Sequence, residues 1–198
     1  MNTQAYETYV SSYKSRQKTT LLVAAGAMVL GFLLAATGIG AIVGIGAMIY
    51  LVIMGVRASA LSSHAKKSMK ALYKAGKYEK AMEGFSQAST CQLNDQTYAW
   101  NEEFLYLPYG AIYPMEKVAW IYPYCQNISY LFIFRFSINA CKLFLTDGTQ
   151  SLMYYGKAKD QEAFKKLLIG LKEAHPALLL GYSAENQKLY DQIKAGNK

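Results

Sequence analysis

Apolar residues dominate one long run near the start of the chain. No Lys, Arg, Asp or Glu occurs between Lys18 and Arg57, which leaves 38 uncharged positions. A helix that crosses a bilayer needs about 20 residues, whereas 38 residues in one helix would extend roughly 57 Å. Two crossings therefore fit the run better than one, with segments at 20–36 and 41–56. A single long or kinked helix, or a helical hairpin buried in a soluble protein, are the alternatives.

The residues between the two segments suit a tight turn, because Gly38 and Gly40 relax the limits on backbone angles. Small residues also recur at every fourth position, a spacing that lets helices approach closely in lipid. One such row occupies the first segment, and a second continues through Ala36 into the next. The pattern predicts a transmembrane helical hairpin over 19–57. Its predicted turn and packing residues are Ala27, Gly31, Ala35, Gly38, Gly40 and Gly44.

Positive charge is concentrated on both sides of the uncharged run. Residues 1–80 contain ten Lys or Arg and two acidic residues, whereas residues 81–198 contain eleven of each. Basic flanks are typical of the cytoplasmic side of a membrane span, so both termini are predicted to be cytoplasmic in a two-span protein of the cell membrane. A nucleic-acid binder would instead carry its charge on the folded domain. The predicted cationic flanks are Lys14, Arg16, Lys18, Arg57, Lys66, Lys67 and Lys70.

The parts of the chain outside the hairpin fall into three regions. Residues 1–18 form a short cytoplasmic or interfacial segment, and residues 58–89 carry apolar residues at helical spacing, which predicts a helical connector. Residues 90–198 have a different pattern, rich in aromatic and β-branched residues and interrupted by Pro, Gly and Asn. This third region is therefore predicted to be a separate domain.

Short strands followed by helices are predicted in the domain at 90–198. Asp147-Gly148 lies between two apolar runs, a strong signal for a β-hairpin. The segment after it places four apolar residues on one face of a helix that ends before Pro176. The fold class is α+β, with a small antiparallel β-roll or barrel closed by an amphipathic helix. The strands are predicted at 97–100, 103–107, 111–113, 117–125, 129–145 and 150–155.

The uncharged stretch 118–134 is an alternative third span. It contains Pro123 and Asn127, and it is rich in aromatic residues. A strand, a turn and a second strand with both faces covered explain it better.

The segment LTDGTQSLMYYGKAKDQEAFKKLLIGLKEAHPALLLGYSAENQKL resembles the end of an uncharacterised family of bacterial membrane proteins. That family has two N-terminal transmembrane helices and a C-terminal pleckstrin-homology-like domain. Gly181-Tyr182-Ser183 matches its pattern, whereas His175-Pro176 stands where Asn-Pro is usual. The resemblance covers roughly residues 95–193. It implies a pleckstrin-homology-like fold and no particular chemistry.

Few residues in the sequence are suited to catalysis or to metal binding. The chain has two histidines, and its three cysteines show no CxxC spacing. No phosphate-binding or nucleophile motif occurs, so no enzymatic activity, no cofactor and no metal are expected.

We therefore expect a protein that presents a cytoplasmic interaction or scaffold module at the membrane. Its expected partners are the lipid bilayer and another membrane or cytoplasmic protein, with no nucleic acid. The alternative is a small transport or channel component that forms a homo-oligomer through the Gly-rich hairpin. Lipid binding by the β-roll is less favoured, because the net charge of residues 81–198 is zero.

Overall fold

The computed structural model describes residues 3–34, 37–93, 96–130, 134–156 and 161–196. At Thr3, Arg57, 126–130, 134–139, Leu152 and 154–156 it describes the backbone only. The fold is α+β, with a long helical N-terminal region followed by small β-sheets and two further helices.

Two long helices, α1 (Thr3–Leu33) and α2 (Ile39–Lys74), form the N-terminal region. They pack side by side and run in opposite directions, so that Gly31 lies against Gly44. Gly38 precedes α2 with a φ of 67°, in the left-handed region that glycine adopts readily. The Thr37 hydroxyl donates to the Leu34 carbonyl (2.7 Å) and accepts from the Gly40 amide (3.2 Å). This hydroxyl therefore satisfies backbone groups that the ends of both helices leave unpaired.

Neither long helix ends where the sequence changes from apolar to polar. Helix α1 continues through Lys18, and α2 continues through Arg57 for more than four further turns. Helix propensity is maintained across both points because Lys, Arg and Gln precede the apolar run and Ala, Lys and Met follow it. The predicted boundaries at 18/19 and 57/58 are thus changes of composition within continuous helices.

A helical turn and two sheets follow. Helix α3 (Tyr78–Gly84) leads through a short 3-10 turn into a meander of four antiparallel strands, β1 (Ser89–Leu93), β2 (Gln96–Trp100), β3 (Phe104–Tyr106) and β4 (Ile112–Pro114). The second sheet has the order β7-β6-β5-β8. Its members are β5 (Val118–Tyr130), β6 (Phe134–Leu145), β7 (Gln150–Gly156) and β8 (Leu179–Leu180). Helices α4 (Gln161–Ala174) and α5 (Ala184–Gly196) complete the chain.

Strands β5 and β6 form a longer hairpin than the sequence predicts. They pair from Val118–Leu145 to Tyr130–Phe134, so the chain reverses beyond Tyr130 and not near Asn127, where the predicted strands leave a turn. Asn127 lies inside β5, and the strand predicted at 129–145 is divided between the two arms. The other neighbour of β5 is β8, which pairs in parallel with Trp120 and Ile121 alone.

The body of the protein, by which we mean residues 78–196, has two main clusters of buried side chains, and the long helices contribute to both. Leu61 of α2 belongs to the cluster between the sheets and α4, where Phe164, Leu167 and Leu171 also lie. Tyr6 of α1 and Leu72 of α2 belong to the cluster that α3 shares with the first sheet. The polar halves of α1 and α2 are therefore part of the core of the body.

Tyrosine hydroxyls join these helices to the body. Tyr6 donates to the carbonyl of Gly110 (2.9 Å), and Tyr9 donates to the carbonyl of Thr97 (2.7 Å). Within the same cluster Tyr106 donates to the carbonyl of Ala81 (2.7 Å). Each bond satisfies a buried hydroxyl that would otherwise be costly in an apolar site.

We expect Tyr6→Phe to lower the free energy of unfolding by about 1–2 kcal/mol, because it removes the hydrogen bond to Gly110 and keeps the ring. The matched control is Tyr182→Phe, since Tyr182 is 69% exposed. Denaturant unfolding of the purified chain in detergent measures both. Equal stability of the two variants would contradict the coupling of α1 to the body.

Candidate functional site

Large apolar side chains are exposed along one half of the helix pair. Among the residues that the structure describes, sixteen of the twenty exposed large hydrophobic side chains lie between Leu22 and Val56. We call this surface the apolar belt. Its members are Leu22, Val23, Val29, Leu30, Phe32, Leu33, Leu34, Ile39, Ile42, Val43, Ile45, Met48, Tyr50, Val52, Ile53 and Val56. Exposed apolar surface of this extent is typical of a membrane or protein contact.

Of the described helices one, Ile39–Lys74, is long and apolar enough to cross a membrane by length and composition. The uncharged part of α1 begins at Thr19 and the helix ends at Leu33, which is about 15 residues. The first span predicted from the sequence, 20–36, extends beyond that helix to residues that the structure does not describe.

The two helices touch backbone to backbone at the end of the belt. A Cβ atom at Gly31 would collide with the amide nitrogen of Gly44, and one at Gly40 would collide with the carbonyl of Leu34. Gly44 faces the backbone of Gly31 and Phe32 in turn. Of the predicted packing residues, Ala27 is half-buried, Gly38 forms the turn, and Ala35 lies outside the described residues.

Buried and half-buried positions continue from this glycine contact along both helices at spacings of three or four residues, as in an antiparallel coiled coil. We call this line the helix seam. In α1 it comprises Tyr6, Val10, Tyr13, Gln17, Leu21, Ala24, Ala27 and Gly31, and in α2 it comprises Gly40, Gly44, Ala47, Leu51, Met54, Ala58, Leu61, Ala65, Ser68 and Leu72.

A cavity of about 1090 Å³ lies on one side of the seam, between the polar halves of the helices. Lys14 of α1 and Lys66 and Lys70 of α2 line it, and Glu7 is the acidic residue of the lining. We call this cavity the lysine groove. Its other polar residues are Ser11, Ser59, Ser62 and Gln17, and Tyr6, Tyr73, Tyr78, Tyr109 and Gly110 lie toward the body.

The remaining predicted cations lie elsewhere. Arg16 lines a shallow groove on the opposite side of the seam, and Lys67 lines a cavity of about 220 Å³ between α2 and β4. Lys18 is exposed on α1, outside the lysine groove. Only the backbone of Arg57 is described. The structure therefore brings together three of the seven predicted flanking residues.

The ionisable groups on the two sides of α2 have differently shifted pKa values. The rings of Tyr73 and Tyr78 stack 4.0 Å apart at the end of the lysine groove, and the Tyr73 hydrogen bond, with burial, raises the pKa of Tyr78 to about 12. On the other side, burial and then the charge of Lys67 lower the pKa of His64 below its usual 6.5. At neutral pH His64 is thus mostly uncharged, and the lysines carry the positive charge.

The described residues contain no group of three or more His, Cys, Asp or Glu arranged to hold a metal ion. Cys141 is buried, which raises the pKa of its thiol, and the half-buried Cys91 donates to the carbonyl of Ala163 (3.2 Å). Thiols in such surroundings are poor nucleophiles.

No family model matches the sequence, and comparison with the curated proteins and with solved structures finds no similar chain. The resemblance to membrane proteins with a pleckstrin-homology-like domain stays a prediction. The site must accordingly be argued from its own residues.

The sequence patterns identified the lysines but not the groove. Glu7, Ser59, Ser62, Tyr73 and Tyr78 were not predicted to belong to a site. The signal that finds them is the helix seam, because positions 7, 11 and 14 and positions 59, 62, 66 and 70 follow one flank of it.

We expect Gly31→Leu to destabilise the helix pair by about 2 kcal/mol or more, because the side chain would enter the backbone of Gly44. Gly26→Leu is the matched control, since nothing lies within 4 Å of a Cβ atom at Gly26. Unfolding of both variants in mixed micelles measures the difference. A Gly31→Leu protein as stable as the Gly26→Leu protein would rule out the close contact.

Proposed function

We propose that this chain is an integral membrane protein whose helices α1 and α2 cross the bilayer as a hairpin and hold the body at the cytoplasmic face. The apolar belt is the observation that carries this proposal. It occupies the end of the helix pair that is remote from the body, and it would be unfavourable in water. A bilayer is the environment that removes this surface from water along its whole perimeter.

The pairing of the helices supports two crossings. Because α1 lies against α2 from Gly31–Gly44 onward, any bilayer that surrounds the belt of α2 also surrounds the apolar half of α1. The turn at Thr37-Gly38 carries no charge, and its polar backbone groups are partly satisfied by the Thr37 hydroxyl. The belt of α2, about 18 residues or 27 Å, is slightly short for a 30 Å core, a mismatch that local thinning absorbs.

The orientation rests on the basic residues. Lys14, Lys66 and Lys70 lie next to the body end of the belt, and the turn at the other end has no cation. This asymmetry favours a cytoplasmic body with both termini on the same side.

The body is proposed to act as an interaction or scaffold module and not as an enzyme. Two small sheets closed by the amphipathic helix α4 are consistent with the pleckstrin-homology-like fold that the resemblance implies. Among the described residues, β5 beyond Ile121 has β6 as its one paired neighbour. Addition of a strand at the side of a sheet is a common way to bind another protein.

Topology reporters test the proposal. We expect reporters fused to the N-terminus and after residue 198 of the full chain to report the cytoplasm, and a reporter inserted after Gly38 to report the opposite side. The chain should remain in the membrane fraction after alkaline carbonate extraction. Opposite sidedness of the two ends would leave a single span, and extraction by carbonate would exclude membrane integration.

A small oligomeric transport or channel component is the second candidate, and one observation favours it. The shallow groove opposite the lysine groove is lined by Ala24, Ala27, Gly46 and Ala47, a surface that suits a third helix in lipid. Its volume is about 1080 Å³. We give it second place because the described residues from Thr19 to Val56 include no ionisable Asp, Glu, Lys, Arg or His.

If this candidate is right, Gly46→Leu should abolish cross-linked oligomers and ion flux in liposomes, because the new side chain would extend into the groove. The matched control, Gly55→Leu, adds the same bulk at an equally open position of the same helix outside the groove. Monomeric wild-type protein without flux would contradict the candidate and leave the scaffold proposal standing.

A further inference from the structure

We propose that the lysine groove binds the phosphate headgroup of an anionic phospholipid, an inference that rests on the proposed membrane location of α1 and α2. The groove differs from a general positive flank because both helices contribute to it. Lys14 comes from α1, and Lys66 and Lys70 come from α2.

The charges of the groove favour an anion. Three lysines face one acidic residue, Glu7, and none of the three has an ion-pair partner among the residues that the structure describes. The hydroxyls of Ser59 and Ser62 lie in the same lining and supply further donors. Lysine ammonium groups and hydroxyls are the groups that commonly bind a phosphate.

The walls of the groove are held by the core of the body. The hydrogen bond from Tyr6 to Gly110 and the stacked rings of Tyr73 and Tyr78 lie at its inner end. The cavity is therefore already formed before a ligand binds. This lowers the free energy that ordering the site would otherwise cost on binding.

The position of the groove selects a lipid over a soluble phosphate. Its outer end reaches Gln17 and Ala58, immediately before the apolar belt, where Leu22, Val52 and Val56 are exposed. A headgroup among the lysines would thus place its acyl chains along the belt. A soluble anion would contact only the lysines and hydroxyls of the groove and would bury no acyl chain. It would also compete with water, because the groove is open.

The test uses the purified full chain in a neutral detergent. Short-chain phosphatidylglycerol, phosphatidylcholine of the same chain length and inorganic phosphate are titrated separately, and binding is measured as the shift in Tm. We expect phosphatidylglycerol to raise Tm at concentrations where the other two have no effect.

Two triple variants locate the site. In Lys14→Gln/Lys66→Gln/Lys70→Gln we expect the affinity for phosphatidylglycerol to fall at least about tenfold, given the contribution of each lysine near a charged lipid. In Lys18→Gln/Lys67→Gln/Lys74→Gln, which removes the same charge from the same two helices outside the groove, we expect a change below about threefold.

Each contrary result overturns the inference. Equal losses in the two triple variants would mean that net charge, and not the groove, attracts the lipid. An equal Tm shift with inorganic phosphate would show a soluble anion site, and an equal shift with phosphatidylcholine would show no headgroup recognition. Carbonate extraction of the same proteins tests the membrane location separately. A chain that stays in the membrane but shows no preference for phosphatidylglycerol would refute the lipid site and leave the proposed membrane location standing.

Discussion

The contact between the backbones of α1 and α2 at Gly31 and Gly44 is the constraint on which the rest of the arrangement depends. With no side chain on either residue, the helices approach until their backbones are in contact. From that contact the seam residues of α1 grow larger, through Ala27 and Leu21 to Tyr6, whereas beyond Ala47 the seam of α2 alternates between large and small residues. Because the distance between packed helices follows the size of the side chains between them, the polar ends need more room than the glycine ends.

The body and the lysine groove both lie at the polar end of the helix pair, where the seam of α1 has its larger side chains. On the seam itself, Tyr6 and Leu61 insert into the two buried clusters of the body, so the sheets are built directly on the helices. Beside the seam, the space that the body does not fill is the groove.

Local signals in the sequence predicted much of this fold. Asp147-Gly148 forms its turn, with Gly148 at a φ of 86° and the Asp147 carboxylate accepting from the Thr149 amide (2.8 Å). Pro123 lies inside a predicted strand and inside β5, because a proline interrupts a strand only where its missing amide would have been paired. Beyond Ile121 the described part of β5 has a neighbour on one side, so a proline is tolerated there. Strand β8 depends on a parallel pairing with residues nearly sixty positions away, and no local pattern encodes such a contact.

The candidate site was predictable in its residue types and not in its arrangement. Charge counts treat Lys14, Arg16 and Lys18 as equivalent, yet consecutive positions on a helix differ by about 100° around its axis. These three residues can be assigned to one side of the helix seam or the other only once the seam is known. The seam in turn can be traced only if α2 is known to continue as a helix past Arg57. That continuity is hidden by the change of composition at the same residue. It has a mechanical consequence as well, since an unbroken α2 whose Leu61 and Leu72 lie in the core of the body cannot act as a flexible tether. A partner bound to the body would therefore be held at a fixed height and orientation relative to the belt, as a scaffold at a membrane requires.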